Sequence, residues 1–310
     1  MNGSLLVICG PTASRKSELA MGLAETLGGE LLCCDSVQIY RGFVIGSAAP
    51  TTADRQRVPH HLYGDFDPAV PCDAGHYART ADARIEEIRG RGRRAIVVGG
   101  AGLYLRALLW GLAAVPPVPA EHRRRLTQEL EEAGAAVLFA RLQEVDPASA
   151  DRIQGGAANT QRVLRALEVY EGTGKRLSVL QDQHTPQLRY EPTLLVPSFE
   201  RPVLFERIDA RVERMFEAGF VTEVRDLLEQ GLPPDSRAMA SLGYKEVAAY
   251  LRGERGLEET KAAIKRGHRR YAKRQGTWFR KVSGVCLIPG MGSDLVDRAT
   301  RLVSTAGETG

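Results

Sequence analysis

A chain of 310 residues with 43% hydrophobic content and a net charge of +4 holds enough apolar material for one large or two modest folded domains, which excludes disorder. No apolar run approaches the roughly 20 residues that span a bilayer, and the first ten residues lack a basic segment ahead of a long apolar one, so a cytoplasmic protein without membrane attachment is expected. The five cysteines, odd in number and without a C-x-x-C pair, exclude a disulfide framework or zinc ribbon and read as reduced core residues.

The first element is an apolar run, Leu5 to Cys9, of strand length, and Glu18 to Leu27 follows with Leu19, Leu23 and Leu27 at helical spacing. Between them, Gly10, Lys16 and Ser17 fit the pattern G-x-x-x-x-G-K-[ST]. In that pattern backbone amides at a helix start hold phosphate oxygens, the lysine adds a point charge and the hydroxyl reaches Mg²⁺. Arg15 stands where the pattern has its second glycine. On these residues alone, a phosphate loop and an ordinary strand-to-helix turn both remain open.

A second strand, Glu30 to Cys34, ends at Asp35, which places this carboxylate at the carboxyl edge of a parallel sheet, where open α/β sheets bind ligands. If the two strands are neighbours, Asp35 lies beside the loop; the rival reading makes it a turn or helix cap ahead of Ser36. From Gly42 to Pro71 the chain is loop-like and long for a connection. His60 and His61 are adjacent, so on a strand they face opposite ways and suit a structural or substrate-loop role better than one metal.

Asp73 to Arg89 reads as a helix and Arg93 to Gly99 as a strand, which continues an alternation that predicts a parallel three-layer α/β/α core. The glycines of the following turn, Gly99, Gly100 and Gly102, lead into a helix near Leu103. That turn is either a second anion-facing helix start or a packing device.

Composition changes at Ala114. Helices are predicted at Glu121 to Ala133, Ala135 to Val145 and Asn159 to Glu171, with no strand until Thr193 to Val196. An inserted helical subdomain, residues 115–192, therefore interrupts a core formed by 1–114 and 193–310. Two more helices, Leu204 to Gly219 and Val221 to Gln230, precede a basic segment. Lys261 to Lys281 carries nine cationic side chains and no acid, with Tyr271, Trp278 and Phe279 interleaved. Cations neutralise phosphates and aromatic faces stack on unpaired bases, so the composition fits an RNA-contacting helix; a solvated basic face is the alternative.

Taken in order, GPTASRKS, DSVQIYRG, IGSAAP, VPHHL, GGAGLYL, NTQRVLRALEVYEGTGKRLS, SLGYKEV and RRYAKRQGTWFRK resemble the tRNA dimethylallyltransferases, and the resemblance runs from Val7 to Arg280. It implies transfer of a dimethylallyl group from dimethylallyl pyrophosphate to the exocyclic amine of the adenosine immediately 3′ of the anticodon, with pyrophosphate released and Mg²⁺ as helper. It further implies a P-loop-containing core that binds the pyrophosphate. The insertion and core would grip the anticodon stem-loop of the tRNA, with the target base flipped out. The protein is expected to act as a monomer.

Carried onto this sequence, the resemblance makes Asp35 the base, with Lys16 and Arg207 at the pyrophosphate. Gly10, Pro11, Thr12, Ala13, Ser14, Arg15 and Ser17 form the loop that holds substrate, joined by Ser36 and Gln38 and by Ala101, Gly102 and Tyr104. Ser17 and Asp35 would serve the metal. Gln161, Arg162 and Arg165 in the insertion, with Arg269, Arg270, Lys273, Arg274 and Gln275 in the basic segment, would meet tRNA. Three residues depart from the family's pattern: Arg15 for glycine, Ala101 for threonine and Ala49 for lysine. Two other readings share parts of this description. A P-loop small-molecule or nucleotide kinase would use Lys16 and Ser17 but not the basic segment, and a tRNA-binding relative with impaired catalysis would keep the grip alone.

Overall fold

The structure is a computed structural model and describes residues 4–292 and 294–307. Its centre is a six-stranded, wholly parallel sheet. In chain order the first elements are β1 (Ser4–Cys9), α1 (Lys16–Leu27), β2 (Gly29–Cys34), α2 (Thr52–Arg57), β3 (His60–His61), α3 (Ala74–Gly90), β4 (Arg94–Gly99) and α4 (Gly102–Trp110). Five helices follow: α5 (Ala120–Ala133), α6 (Ala135–Val145), α7 (Pro147–Arg152), α8 (Thr160–Thr173) and α9 (Leu177–Asp182). The sheet resumes with β5 (Glu191–Ser198), then α10 (Arg201–Glu217), α11 (Phe220–Glu229), α12 (Tyr244–Leu251), α13 (Leu257–Phe279), β6 (Val285–Pro289) and α14 (Leu295–Gly307).

The spatial order β3-β2-β4-β1-β5-β6 puts β1 in the interior, between β4 and β5. Side chains alternate across each strand, and the two apolar layers follow that parity. Leu5, Val7, Ala95, Val97, Leu194 and Val196 join Tyr77, Ile85, Leu108, Val212 and Ile264 on one side. Leu6, Ile8, Ile96, Val98 and Leu195 join Leu19, Leu23, Leu295 and Ala299 on the other. This is the expected α/β/α layering. No described helix is long and apolar enough to cross a membrane.

The chain forms two compact units, 1–110 with 188–310, and 111–187. Leu188 to Pro192, expected in the insertion, belong with the sheet, because β5 begins at Glu191 and its first residues already pair with Ser4 and Leu5. Gly111 to Ala114 fall with the helices. Within the helical unit, Leu126, Leu138, Leu142, Val163, Leu164 and Leu167 make a separate core. Beside it Asp146, fully buried, accepts from the amides and hydroxyls of Ser149 and Ser178 at 2.5 to 3.1 Å.

The cysteines are free, and all but Cys286 are buried. Burial pushes the Cys34 thiol up to about 12 and the Cys33 thiol well above the ordinary range, which disfavours the reactive thiolate at both. His60 and His61 are structural: His61 Nε2 lies 2.6 Å from the Glu30 carboxylate, and His60 Nδ1 lies 2.7 Å from the Val58 carbonyl.

Candidate active site

The loop from Gly10 to Arg15 leaves the end of β1 and enters α1, whose first-turn amides lack helical partners by construction. Gly10 turns at φ 138°, and a β-carbon there would lie 3.3 Å from Val196 of β5. Ala13 and Arg15 both take the left-handed conformation, at φ 62° and 63°. Lys16 Nζ donates to the Pro11 carbonyl at 2.7 Å, and Nε of Arg207, from α10, donates to the Ala13 carbonyl at 3.0 Å. Burial, helped by the Arg211 guanidinium, lowers the Lys16 ammonium to about 8 against the opposing pull of Asp35. The Ser14 hydroxyl is buried without a partner. Thr12 differs from expectation, since its amide already donates to Gln275 Oε1 at 2.9 Å.

Asp35 follows β2, and β2 neighbours β4 rather than β1. The condition for adjacency to the loop is therefore not met: the strand that ends at Asp35 lies two strand spacings, roughly 10 Å, from β1, although the Asp35 charge still acts on Lys16. One Asp35 oxygen accepts the amides of Val37 and Gln38, at 2.9 and 3.3 Å, so the turn-cap role is real. The second oxygen has no partner among the described residues and remains available for chemistry. Gln38 instead supports a neighbouring loop, donating to the carbonyls of Ser47 and Ala48. Ser17 and Ser36 are exposed beside the loop and Asp35 respectively.

The glycine turn after β4 is a packing device. A β-carbon on Gly99 would lie 1.9 Å from the Cys34 carbonyl oxygen, one on Gly100 2.2 Å from Gln275, and one on Gly102 2.8 Å from the Trp278 ring. Ala101 is buried and its amide donates to the Cys34 carbonyl at 3.1 Å, which ties the end of β4 to the strand end that presents Asp35. Tyr104 is not brought to the site. Its ring stacks on Tyr77 at 4.4 Å and its hydroxyl donates to the Cys72 carbonyl, inside the core.

Gln275, expected on RNA, is likewise turned inward. Its carbonyl holds Thr12 while its amide donates to the Gly100 carbonyl at 3.0 Å, so α13 straps the phosphate loop to the turn after β4. The rest of α13 is less uniformly cationic than its sequence. Glu213 and Asp209, both from α10, pair with Lys261, Lys265 and Arg269. Repulsion among these like charges is thus relieved within the protein for part of the helix. Arg266, Arg270, Lys273 and Arg274 remain exposed without an acidic partner among the described residues. In the helical unit, Arg162 is exposed, Arg165 meets Glu168 at 3.3 Å, and the Gln161 side-chain oxygen accepts from Arg123.

Sequence reasoning missed three residues. Arg211 donates to the Ser47 carbonyl at 2.9 Å, keeps a buried Nε without a partner, and acts electrostatically on both Lys16 and Asp35. Its place four residues beyond Arg207, on the same helix face, was the available signal. His268, buried beside Arg211, has neither ring nitrogen partnered; burial first, then Arg211, lowers it to about 4 and keeps it neutral. Glu223 gathers the amides of Val44, Ile45 and Gly46 and the Tyr244 hydroxyl, and so shapes the loop that meets Gln38 and Arg211.

The cluster joins a loop of open amides, three cations (Lys16, Arg207, Arg211) and an ionisable carboxylate across one intervening strand. That arrangement offers amide donors and positive charge at one end and a carboxylate oxygen able to accept a proton at the other. The family model described as IPP transferase matches residues 38–282. The chain belongs to the IPP transferase family. A tRNA dimethylallyltransferase of Geobacter sulfurreducens is 49% identical over 278 residues, 89% of each chain. Among solved structures, a full-length tRNA isopentenylpyrophosphate transferase of Bacillus halodurans shares 32% identity at a TM-score of 0.72, covering 99% of this chain and 98% of its own. A eukaryotic dimethylallyltransferase acting on tRNA shares 26% identity at a TM-score of 0.79, with 99% of this chain and 79% of that one covered. The IPP transferase match begins after the loop and Asp35, whereas these longer likenesses take in most of the chain.

As a metal site the region offers few donors. The exposed Ser17 hydroxyl and the unpartnered Asp35 oxygen are hard oxygens of the kind Mg²⁺ takes, and no cluster of three or more His, Cys, Asp or Glu residues suited to a metal occurs among the described residues. A Mg²⁺ ion carried mainly by water and substrate phosphate oxygens suits so sparse a set.

Proposed function

We propose that this IPP transferase is a tRNA dimethylallyltransferase, which moves the dimethylallyl group of dimethylallyl pyrophosphate onto the exocyclic amine of the adenosine 3′-adjacent to the anticodon. The observation that carries the reading is the division of the site by β4, with the amide loop and three cations on one side and Asp35 on the other. An allylic carbon bound between them has its leaving group over the loop and its incoming nitrogen near the carboxylate.

In the reaction the carbon–oxygen bond to the diphosphate breaks as the nitrogen–carbon bond forms, and the amine proton passes to the free oxygen of Asp35. Lys16 and Arg207 hold the oxygens on which negative charge grows, and Arg211 adds a third positive charge from α10. Mg²⁺, if held at the Ser17 hydroxyl on the loop side, would supply further neutralisation of the diphosphate, while Asp35, whose one free oxygen takes the proton, would not share the ion. Val37 and Gln38 fix Asp35 by its other oxygen, so its orientation does not depend on substrate. The exposed cations of α13 and the Gln161 to Arg165 face of the helical unit serve the tRNA anticodon stem-loop, and a single chain supplies every named group.

The test is transfer of labelled dimethylallyl from its pyrophosphate to an anticodon stem-loop with adenosine 3′ of the anticodon, in the presence of Mg²⁺. Label in the RNA together with stoichiometric pyrophosphate is expected. RNA binding without label would leave only the grip, and phosphate transfer from ATP to a small molecule would make the loop that of a kinase.

A further inference from the structure

Arg15 occupies the left-handed region at φ 63°, ψ 20°, where a β-carbon crowds the following carbonyl and glycine is the usual solution. Its side chain does not enter the phosphate loop. Nη1 donates to the carbonyls of Gly290 and Gly292 at 2.8 and 3.0 Å, while Nε and Nη2 hold both oxygens of Glu18. The turn it grasps is the one between β6 and α14. That turn is held from its other side by Arg298, which donates to the carbonyls of Pro289 and Met291, each at 2.7 Å. Nor is α14 loosely placed, since a β-carbon on Gly22 of α1 would lie 2.5 Å from Val296.

We propose that Arg15 is a positioning residue, a latch by which the β6–α14 turn holds the phosphate loop in the shape a glycine would adopt unaided. The latch rests on the reading of that loop as a diphosphate cradle. With the guanidinium tied at four points, residue 15 cannot relax toward the right-handed or extended regions, and the amides on either side of it stay aimed into the loop. Neither obstruction of the cradle nor a direct contact with phosphate follows from the departure from glycine. The C-terminal turn becomes part of the site's support instead.

The experiment compares native protein, Arg15→Ala, Arg15→Gly and Arg298→Ala by calorimetric titration with inorganic pyrophosphate and Mg²⁺, and by steady-state transfer. Arg15→Ala keeps the strained β-carbon and loses the latch; its Kd for pyrophosphate and KM for the allylic substrate are expected to rise about tenfold, with kcat and the KM for RNA nearly unchanged. Arg15→Gly regains most of that affinity, because glycine adopts the turn without help. Arg298→Ala, which loosens only the grasped turn, shifts the same Kd in the same direction by about threefold. Native-like pyrophosphate binding by Arg15→Ala, or by Arg298→Ala should the former not fold, overturns the latch. So does an Arg15→Gly protein as weak as Arg15→Ala, or a native protein that does not bind pyrophosphate. If the affinities follow the expected order while no label reaches RNA, the latch stands and the transferase reading falls.

Discussion

Asp35 gets its orientation from two backbone amides and its reach from the end of β2, so removing its charge should disturb chemistry and little else. Asp35→Asn is expected to lower the single-turnover transfer rate by about 10² to 10⁴, the range for a lost general base, with stem-loop affinity unchanged; native-like transfer would remove Asp35 from that role. Lys16 gives the site a pH limb. Its ammonium is lowered to about 8, chiefly by burial, so the charged form that attracts diphosphate predominates below that pH and is lost above it. kcat/KM for the allylic substrate should therefore fall as pH rises through about 8 in the native protein, while in Lys16→Arg the same limb should be absent below pH about 10, because a guanidinium keeps its proton. At this level the sequence was partly readable. Gly10, Lys16 and Asp35 declare themselves through strand ends and a spacing rule, but Tyr104 sits in the same run of letters as the glycine turn and is phased into the core. Nothing local distinguishes it.

Helix α13 has two jobs on two faces. Inward, Gln275 bonds Thr12 and Gly100 while Trp278 rests on Gly102; outward, Arg270, Lys273 and Arg274 are exposed. A triple substitution of these three by alanine should weaken stem-loop binding and shrink the slope of log K against log salt by about 2 to 3, one unit for each phosphate no longer neutralised. Lys261→Ala and Lys265→Ala should hardly move that slope, because both already pair with Glu213. Equal effects at paired and unpaired positions would mean that the helix meets RNA along its whole length or not at all. The basic composition was visible in one window of sequence, yet its neutralising acids lie on α10, some fifty residues away in the chain, where a window cannot count them. A longer separation, 177 to 179 residues, hid Glu223, whose partners are the amides of Val44 to Gly46. Elements with a strong period, such as α3, α6 and β4, were legible almost to the residue, whereas the two-residue β3 and the six-residue α2, α7 and α9 are too short to show one.

The two compact units have separate cores, with the Glu30 carboxylate buried in the first and that of Asp146 in the second. In the helical unit, burial opposes ionisation of Asp146 but the hydrogen bonds from Ser149 and Ser178 outweigh it, and its pKa lies below the ordinary aspartate value. A carboxyl depressed in the folded state contributes stability that is complete above its unfolded value, near pH 4, and is lost as pH falls through the folded one. Asp146→Ala strands two amides and two hydroxyls and should cost the 111–187 unit about 3 kcal/mol in urea unfolding at neutral pH, a difference that narrows below pH about 4. An unchanged midpoint would show that water replaces the carboxylate freely. The order of strands has a consequence of a different kind, for a chain made from its N-terminus. Leu6 in β1 pairs with Ile96 on one side and with Thr193 on the other, so β1 waits for the whole of residues 111–187 before its second neighbour exists. The helical unit, built from local pairings, is complete by then. During synthesis β1 presents an open apolar edge until β5 covers it, and pulse-labelled amides should gain protection in α5, α6 and α8 before they do in β1.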